Sequence, residues 1–412
     1  MNYSARPTIN ELMSSLNVSR WPQRWNEIYD DVMIDYEKNG CRLTDPSFYD
    51  GIAAKYNVIG EFLDTYKSVA REISTDDLLS RFLSLIAASM RDRKNAKADI
   101  NSLDLPKSAD GRHVDKYTML PALAMCETVD YTYSLIKDRG LPEEQVSYVM
   151  NHCDGANMVR KYQKQNNGKL GAVNWSWYQL GVDAKLYTSE LLSFELGKEF
   201  VSRATVFENN DGELVTAAHS EIFDKDGYIL GTFGHEDSTK AFEPTITELD
   251  DEWRAYLYDE RGLAQNIPTT LKKSEWRIKI APGDPVIALH IPAGKPLAPS
   301  LVSQSLDEIR SILARYFPEV EYKAFVCGSW LLSPTLEDIL NLSSNIVAFG
   351  KRFKRIAHKG EGTSVFSFVF LQNDVNSVNL DTLPENTSLE RALKKHYLDG
   401  GRVYDTYGYI LK

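Results

Sequence analysis

No stretch of the 412-residue chain is long and apolar enough to span a bilayer, and the N-terminal run MNYSARPTINELMSSL lacks a signal-peptide core. A cytoplasmic protein with no membrane partner is therefore expected. Cysteine is scarce: Cys41, Cys126, Cys153 and Cys327 stand alone, without metal-ligand spacing. That excludes a disulfide frame and a cysteine zinc site, so packed, reduced thiols and no metal are expected. Positive charge is in deficit, with 47 Lys+Arg against 58 Asp+Glu and a net charge of −11, which argues against a nucleic-acid surface. A P-loop is missing too, because Gly294-Lys295 is followed by proline, without the preceding glycine and following hydroxyl. What remains is a soluble globular composition on a chain long enough for two or three domains.

Strand signal is almost absent between about Thr8 and Lys164. Helical spacing replaces it: Trp21 and Trp25 lead into Ile28, Val32 and Tyr36, and further helices are expected over Phe48–Ala70, Asp76–Met90, Leu120–Lys137 and Glu143–Tyr162. The polar, turn-rich stretch from Arg91 to Arg112 reads as a surface connection within this helical domain. The pattern changes after Gly168. Asn174 to Tyr178 is aromatic, either opening a helix or wedged between domains.

Strands are expected at Leu192–Phe207, Glu213–Phe223 and Tyr228–Phe233, forming an antiparallel meander through two Asp-Gly turns. Asp224 and Asp226 lack the twelve-residue calcium loop and its terminal glutamate, so a plain turn is expected there. Residues 236–280 are charged and read as a helix or loop insertion before one more strand.

The stretch Val286–Tyr316 organises the C-terminal half. Val286 to Ile291 is an apolar run suited to a buried strand. Pro292-Ala293-Gly294-Lys295-Pro296 cannot continue it, and Ser300 is a candidate N-cap for an amphipathic helix ending near Phe317-Pro318. A loop feeding a helix start presents unpaired amides to an anion. Tyr322–Leu332 then reads as a second buried strand and Ser333-Pro334-Thr335 as a helix start. Asn345–Ile356 and Ser364–Leu371 read as strands, and Ser388–Leu398 as a last helix closed by Gly400-Gly401.

This order matches the layout of GNAT-type N-acyltransferases. The runs Leu192-Ser-Phe-Glu-Leu-Gly197, Leu289-His-Ile-Pro-Ala-Gly294, Ala324-Phe-Val-Cys-Gly-Ser-Trp-Leu-Leu332, Ser344-Asn345-Ile346 and Phe349-Gly-Lys-Arg-Phe353 resemble bacterial acyltransferase-domain proteins, over roughly Met119 to Gly401. The resemblance implies an α+β chain: an all-helical N-terminal domain, 1–168, then a GNAT-like mixed, mostly antiparallel sheet flanked by helices, 169–412, with 236–280 inserted. It also implies acyl-CoA or coenzyme A as co-substrate and an amine of a small molecule or peptide as acceptor. One departure stands out. The usual Arg/Gln-x-x-Gly-x-Gly/Ala pyrophosphate string is absent, and Ile291 to Ser300 occupies its place with prolines that remove donors.

Candidate chemistry follows from these placements. His290, at the end of the central strand, is a candidate base, or else a packed histidine holding the loop. Glu195 is a candidate acid or base facing it across a cleft. Cys327 and Ser329, two apart on one strand face, offer a nucleophile and a hydrogen-bond donor, or a buried thiol and a backbone-bonded hydroxyl. A cysteine hydrolase built on Cys327 and His290 lacks a nameable orienting residue. For coenzyme A the candidates are Ile291, Ala293, Gly294, Lys295 and Ser300, with Trp330 and Arg352. A ligand- or partner-binding descendant without catalysis is the alternative reading.

Overall fold

The computed structural model describes residues 6–56, 58–153, 155–172, 175–292, 294–372 and 378–412. The chain forms two compact units, Met1–Tyr187 and Thr188–Lys412.

The first unit is helical: α1 (Ile9–Ser15), α2 (Trp25–Asn39), α3 (Pro46–Tyr56), α4 (Leu63–Ser74), α5 (Asp77–Arg91), α6 (Ala96–Asn101), α7 (Asp115–Thr118), α8 (Leu120–Met125), α9 (Val129–Asp138), α10 (Glu143–His152), α11 (Gly155–Gln165) and α12 (Trp175–Val182). The spacing of Trp25, Tyr29, Met33 and Tyr36 buries one face of α2. α5 is buried almost throughout, from Leu79 to Met90, and packs against α2, α4 and α8. Its Arg81 is fully buried, and the cost of burying that charge is offset by Asp77 and Glu37 at 2.8 and 3.3 Å. Helix α12 takes up the aromatic segment, so the helical unit runs past the boundary expected at Gly168.

The second unit carries two sheets. The strands are β1 (Leu186–Thr188), which spans the boundary between the units, and then β2 (Ser193–Glu199), β3 (Ala204–Asn209), β4 (Leu214–Ala218), β5 (Thr247–Glu248), β6 (Glu252–Tyr258), β7 (Ala264–Lys272), β8 (Trp276–Ile280), β9 (Pro285–His290), β10 (Ala324–Ser329), β11 (Lys354–Ile356) and β12 (Thr406–Leu411). The first sheet has the order β1-β2-β9-β10-β12-β11 and the second β5-β6-β4-β3-β8, with β7 on β6. Among the described pairs whose register is given, β9/β10 is parallel and the rest are antiparallel. Val206, Ala218 and Ile280 from the second sheet share one core cluster with Val286, Ala324, Val326 and Tyr409 from the first. The helices are α13 (Pro299–Tyr316), α14 (Thr335–Ile339), α15 (Asn345–Gly350), α16 (Ser364–Phe368) and α17 (Ser388–Leu398).

Several expectations are corrected. Residues 236–280 are no helical or loop insertion but supply β5 to β8; charges hid the alternation, in which Trp253 and Ala255 point inward while Arg254 between them is exposed. Asn345–Ile356 is a helix capped by the Ser344 side chain and then a three-residue strand. Ser364–Leu371 holds a short helix, Ser364–Phe368, rather than a strand, with Val365, Phe366 and Phe370 in one cluster with Leu393 and Tyr397. Tyr228–Phe233 forms isolated bridges rather than a strand. Strand β12, unexpected from sequence, lies inside the first sheet between β10 and β11.

Candidate active site

The parallel pair β9/β10 is registered at Ile287–Phe325 and Ala288–Val326 and goes no further. Beyond that point Leu289 and His290 remain paired to β2, while Cys327, Gly328 and Ser329 remain paired to β12. The pairing between the two strands therefore stops two residues short of the end of β9. Open sheets place ligands at that end.

His290 is the last residue of β9, two beyond that final pair. Its Nε2 lies 3.0 Å from Glu195 Oε2 on the neighbouring strand, so the two are hydrogen-bonded partners rather than groups facing each other across a cleft. Glu195 is 3 % exposed, and Lys198 Nζ sits 3.0 Å from its other oxygen. A regular strand sends residues three apart to opposite faces. Here the register shifts between Glu195 and Lys198, and Gly197 takes φ +73°, so a β-bulge returns Lys198 to the face of Glu195. Burial alone pushes the Glu195 carboxyl up, but hydrogen bonds from His290 and Lys198, with their charges, hold it below the usual carboxylate range. An ionised Glu195 only accepts, so Nε2 of His290 donates the hydrogen of this bond.

Register fixes which side chains share this face. Ala288 lies opposite both Glu195 and Val326, so Glu195, His290, Val326 and Gly328 point to one side of the sheet. Gly328 pairs with Tyr407, which brings that tyrosine to the same face of the sheet. Burial raises the Tyr407 phenol well above its usual value and keeps it a neutral donor. Sequence reasoning missed Tyr407 because it missed β12; the alternating apolar run TYGYIL was the available signal.

Cys327 and Ser329 lie on the opposite face from His290, so the expected grouping of four catalytic residues does not form. Cys327 is 2 % exposed, and burial pushes its thiol up to about 12, the reverse of an activated nucleophile. The Ser329 hydroxyl accepts from the Leu331 amide at 3.2 Å and caps a short turn.

The anion-site residues are also rearranged. Helix α13 begins at Pro299, not at a Ser300 cap, and Ser300 is an exposed first-turn residue. The first amide to close the helix is that of Val302, onto Ala298, which leaves the Ser300 and Leu301 amides pointing forward. Arg352 Nη2 donates to the Pro299 carbonyl at 2.6 Å and so brings a cation to this helix start. Lys295 is held by the carbonyl and carboxylate of Glu190. Gly294 has φ +101° and open space around it, Ile291 is half-buried, and Ala293 lies outside the described residues. Trp330 is buried among Leu336, Val365 and Leu393, so it is core rather than a ligand platform. Elsewhere Asp224, Asp226 and His235 bring ligand atoms within 4.8 Å of one another. Asp224 is nonetheless committed to its turn, accepting from the Asp226 and Tyr228 amides and facing His235 Nδ1 at 2.7 Å.

The comparisons with known proteins agree with this architecture. No curated protein matches the sequence significantly. Among solved structures, an acyltransferase in complex with decanoyl-CoA and teicoplanin superposes with a TM-score of 0.60 at 17 % identity, over 98 % of each chain. A mutant acyltransferase in complex with octanoyl-CoA gives 0.61 at 17 % identity, over 98 % of this chain and 99 % of its own. At these identities the likeness is one of fold. The sequence model of the GNAT-like C-terminal domain matches residues 192–410, more than half of the chain, and the protein belongs to that family.

Proposed function

We propose that the protein is an acyl-CoA-dependent N-acyltransferase, acting on an amine of a small molecule or peptide. The observation that carries this reading is the β9/β10 pairing that stops short of the end of β9, with the His290–Glu195 dyad where it stops. The pantetheine arm of an acyl-CoA enters between β9 and β10 beyond their last pair, and the pyrophosphate meets the Ser300 and Leu301 amides beside Arg352. Coenzyme A and acyl-CoA bound to the solved acyltransferases of this fold support the co-substrate. The teicoplanin bound to one of them supports an acceptor on a small molecule or peptide.

The chemistry is direct transfer. The acceptor nitrogen attacks the thioester carbon, forming the C–N bond as the carbonyl oxygen becomes an oxyanion held by backbone amides. The neutral His290 ring takes the proton the amine loses, with Glu195 fixing its tautomer and balancing the imidazolium. Collapse breaks the C–S bond, and the departing thiolate is protonated by the imidazolium or by Tyr407.

Thermal unfolding with and without coenzyme A tests the reading: ligand at roughly 100 to 1,000 times its Kd stabilises by about 3–4 kcal/mol. No shift at millimolar coenzyme A overturns it. The prolines in the Ile291–Ser300 loop favour a second reading, a binding protein without transfer. Stabilisation without turnover on any amine singles that reading out.

A further inference from the structure

A second cleft lies wholly within the helical unit. It encloses about 350 Å³, in the range of small-molecule sites, between the C-terminal end of α2, the turn Arg42–Thr44, helix α5 and the turn Cys126–Thr128. Glu127, at its wall, has a side chain only 3 % exposed. Arg91 Nη1 donates to its Oε1 at 2.7 Å. Arg42 Nη2 lies 3.1 Å from Oε2, yet no donor is aligned with that buried oxygen. Two guanidiniums, Arg42 and Arg91, and two carboxylates, Glu127 and Asp35, thus line the cleft. Both arginine side chains are about half exposed, at 57 % and 52 %, and Arg42 is steadied by the Phe48 ring 4.6 Å from its guanidinium carbon. The facing wall is α2, where Asn39 donates to Asp35 at 2.6 Å and both line the cleft.

We infer that this cleft binds a small phosphate or carboxylate anion that also carries hydroxyl or amine donors. The anion takes the arginine N–H groups not used on Glu127, in the forked geometry guanidinium favours. A hydroxyl or amine of the same molecule bonds the exposed carboxylate of Asp35. Surplus arginine donors on one wall and the exposed Asp35 carboxylate on the facing wall call for both groups in one molecule. A cleft holding water alone needs no such pairing. The inference concerns the helical unit and does not depend on acyl transfer.

The test uses the full chain and three probes at matched ionic strength: inorganic phosphate, glucose 6-phosphate and glucose. Glucose 6-phosphate raises the Tm by about 2 °C or more at millimolar concentration, phosphate by less, and glucose not at all. Arg42→Gln and Arg91→Gln each at least halve the rise, and Asn39→Trp, which fills the mouth without touching the arginines, abolishes it. Asn39→Trp decides the matter if either arginine variant fails to fold. Any stabilisation by coenzyme A persists in all three variants, which keeps this result separate from the transferase reading. The inference is overturned if neither phosphate probe shifts the wild-type Tm, or if the shift survives Asn39→Trp.

Discussion

Strands β9 and β10 run parallel and end at the same edge of one sheet, yet they present opposite chemistry there. At the end of β9, His290 is hydrogen-bonded to a carboxylate that is itself held by Lys198. On β10, Cys327 is sealed in apolar surroundings on the other face, and Ser329 is spent on a backbone amide. Both strands offered a plausible nucleophile or base by position. Position selects candidates, and the neighbour across the ladder decides which of them carries usable charge.

Breaking the dyad is the severest test of this contrast. His290→Ala should lower kcat/KM for acyl transfer by about 10²- to 10⁴-fold. Cys327→Ala should leave it within about twofold and cost about 1 kcal/mol of stability, since only a small buried group is lost. Equal losses in the two variants would erase the distinction between the strands.

Glu195 supplies the next largest effect. Replacing it by alanine leaves His290 and Lys198 without their shared partner and should cost about 1–3 kcal/mol in denaturant unfolding. The sign with pH follows from the lowered folded-state pKa: the contribution is fully present above the unfolded value of 4.5 and fades as pH falls through the folded value. The stability gap between wild type and Glu195→Gln should therefore narrow below pH ~4.5. A gap that widens on acidification contradicts the assignment.

The bulge comes third. Gly197 sits at φ +73° with open space where a Cβ would go, so Gly197→Ala meets no clash and pays only the left-handed backbone cost of about 1–2 kcal/mol. If the bulge is what delivers Lys198 to Glu195, turnover falls along with stability. The smallest effect is a rate. Cys327 should resist alkylation in the native protein more than the partly exposed Cys41, and should label only on unfolding.

Much of the architecture was legible in the chain because it rests on local rules. The three- and four-residue spacing of Trp25, Ile28, Val32 and Tyr36 marks a helix whatever surrounds it, and the prolines after Ile291 mark where β9 must stop. The misreadings share a cause. Ser364–Leu371 and Asn345–Ile356 are short and apolar, so propensity could not separate strand from helix, and a cluster around Leu393 or a Ser344 cap made the choice. Residues 236–280 misled in the other direction, since charge on one face masked a period of two. At the candidate site, His290 and Glu195 were each visible as titratable residues near strand ends. Their bond was not, because it depends on a register set by partners ninety-five residues apart.

The sequence by itself determined that an all-helical segment precedes a strand-rich one, and that a buried strand leads through a proline-rich turn into an amphipathic helix. These follow from backbone periodicity and from residues that forbid or favour particular dihedrals. Tertiary structure alone decided that β12 enters the first sheet, that the β9/β10 pairing stops after two positions, and that the Gly197 bulge gathers Lys198, Glu195 and His290. Each of these depends on which strands meet and in what register, and no local pattern encodes a pairing between distant segments.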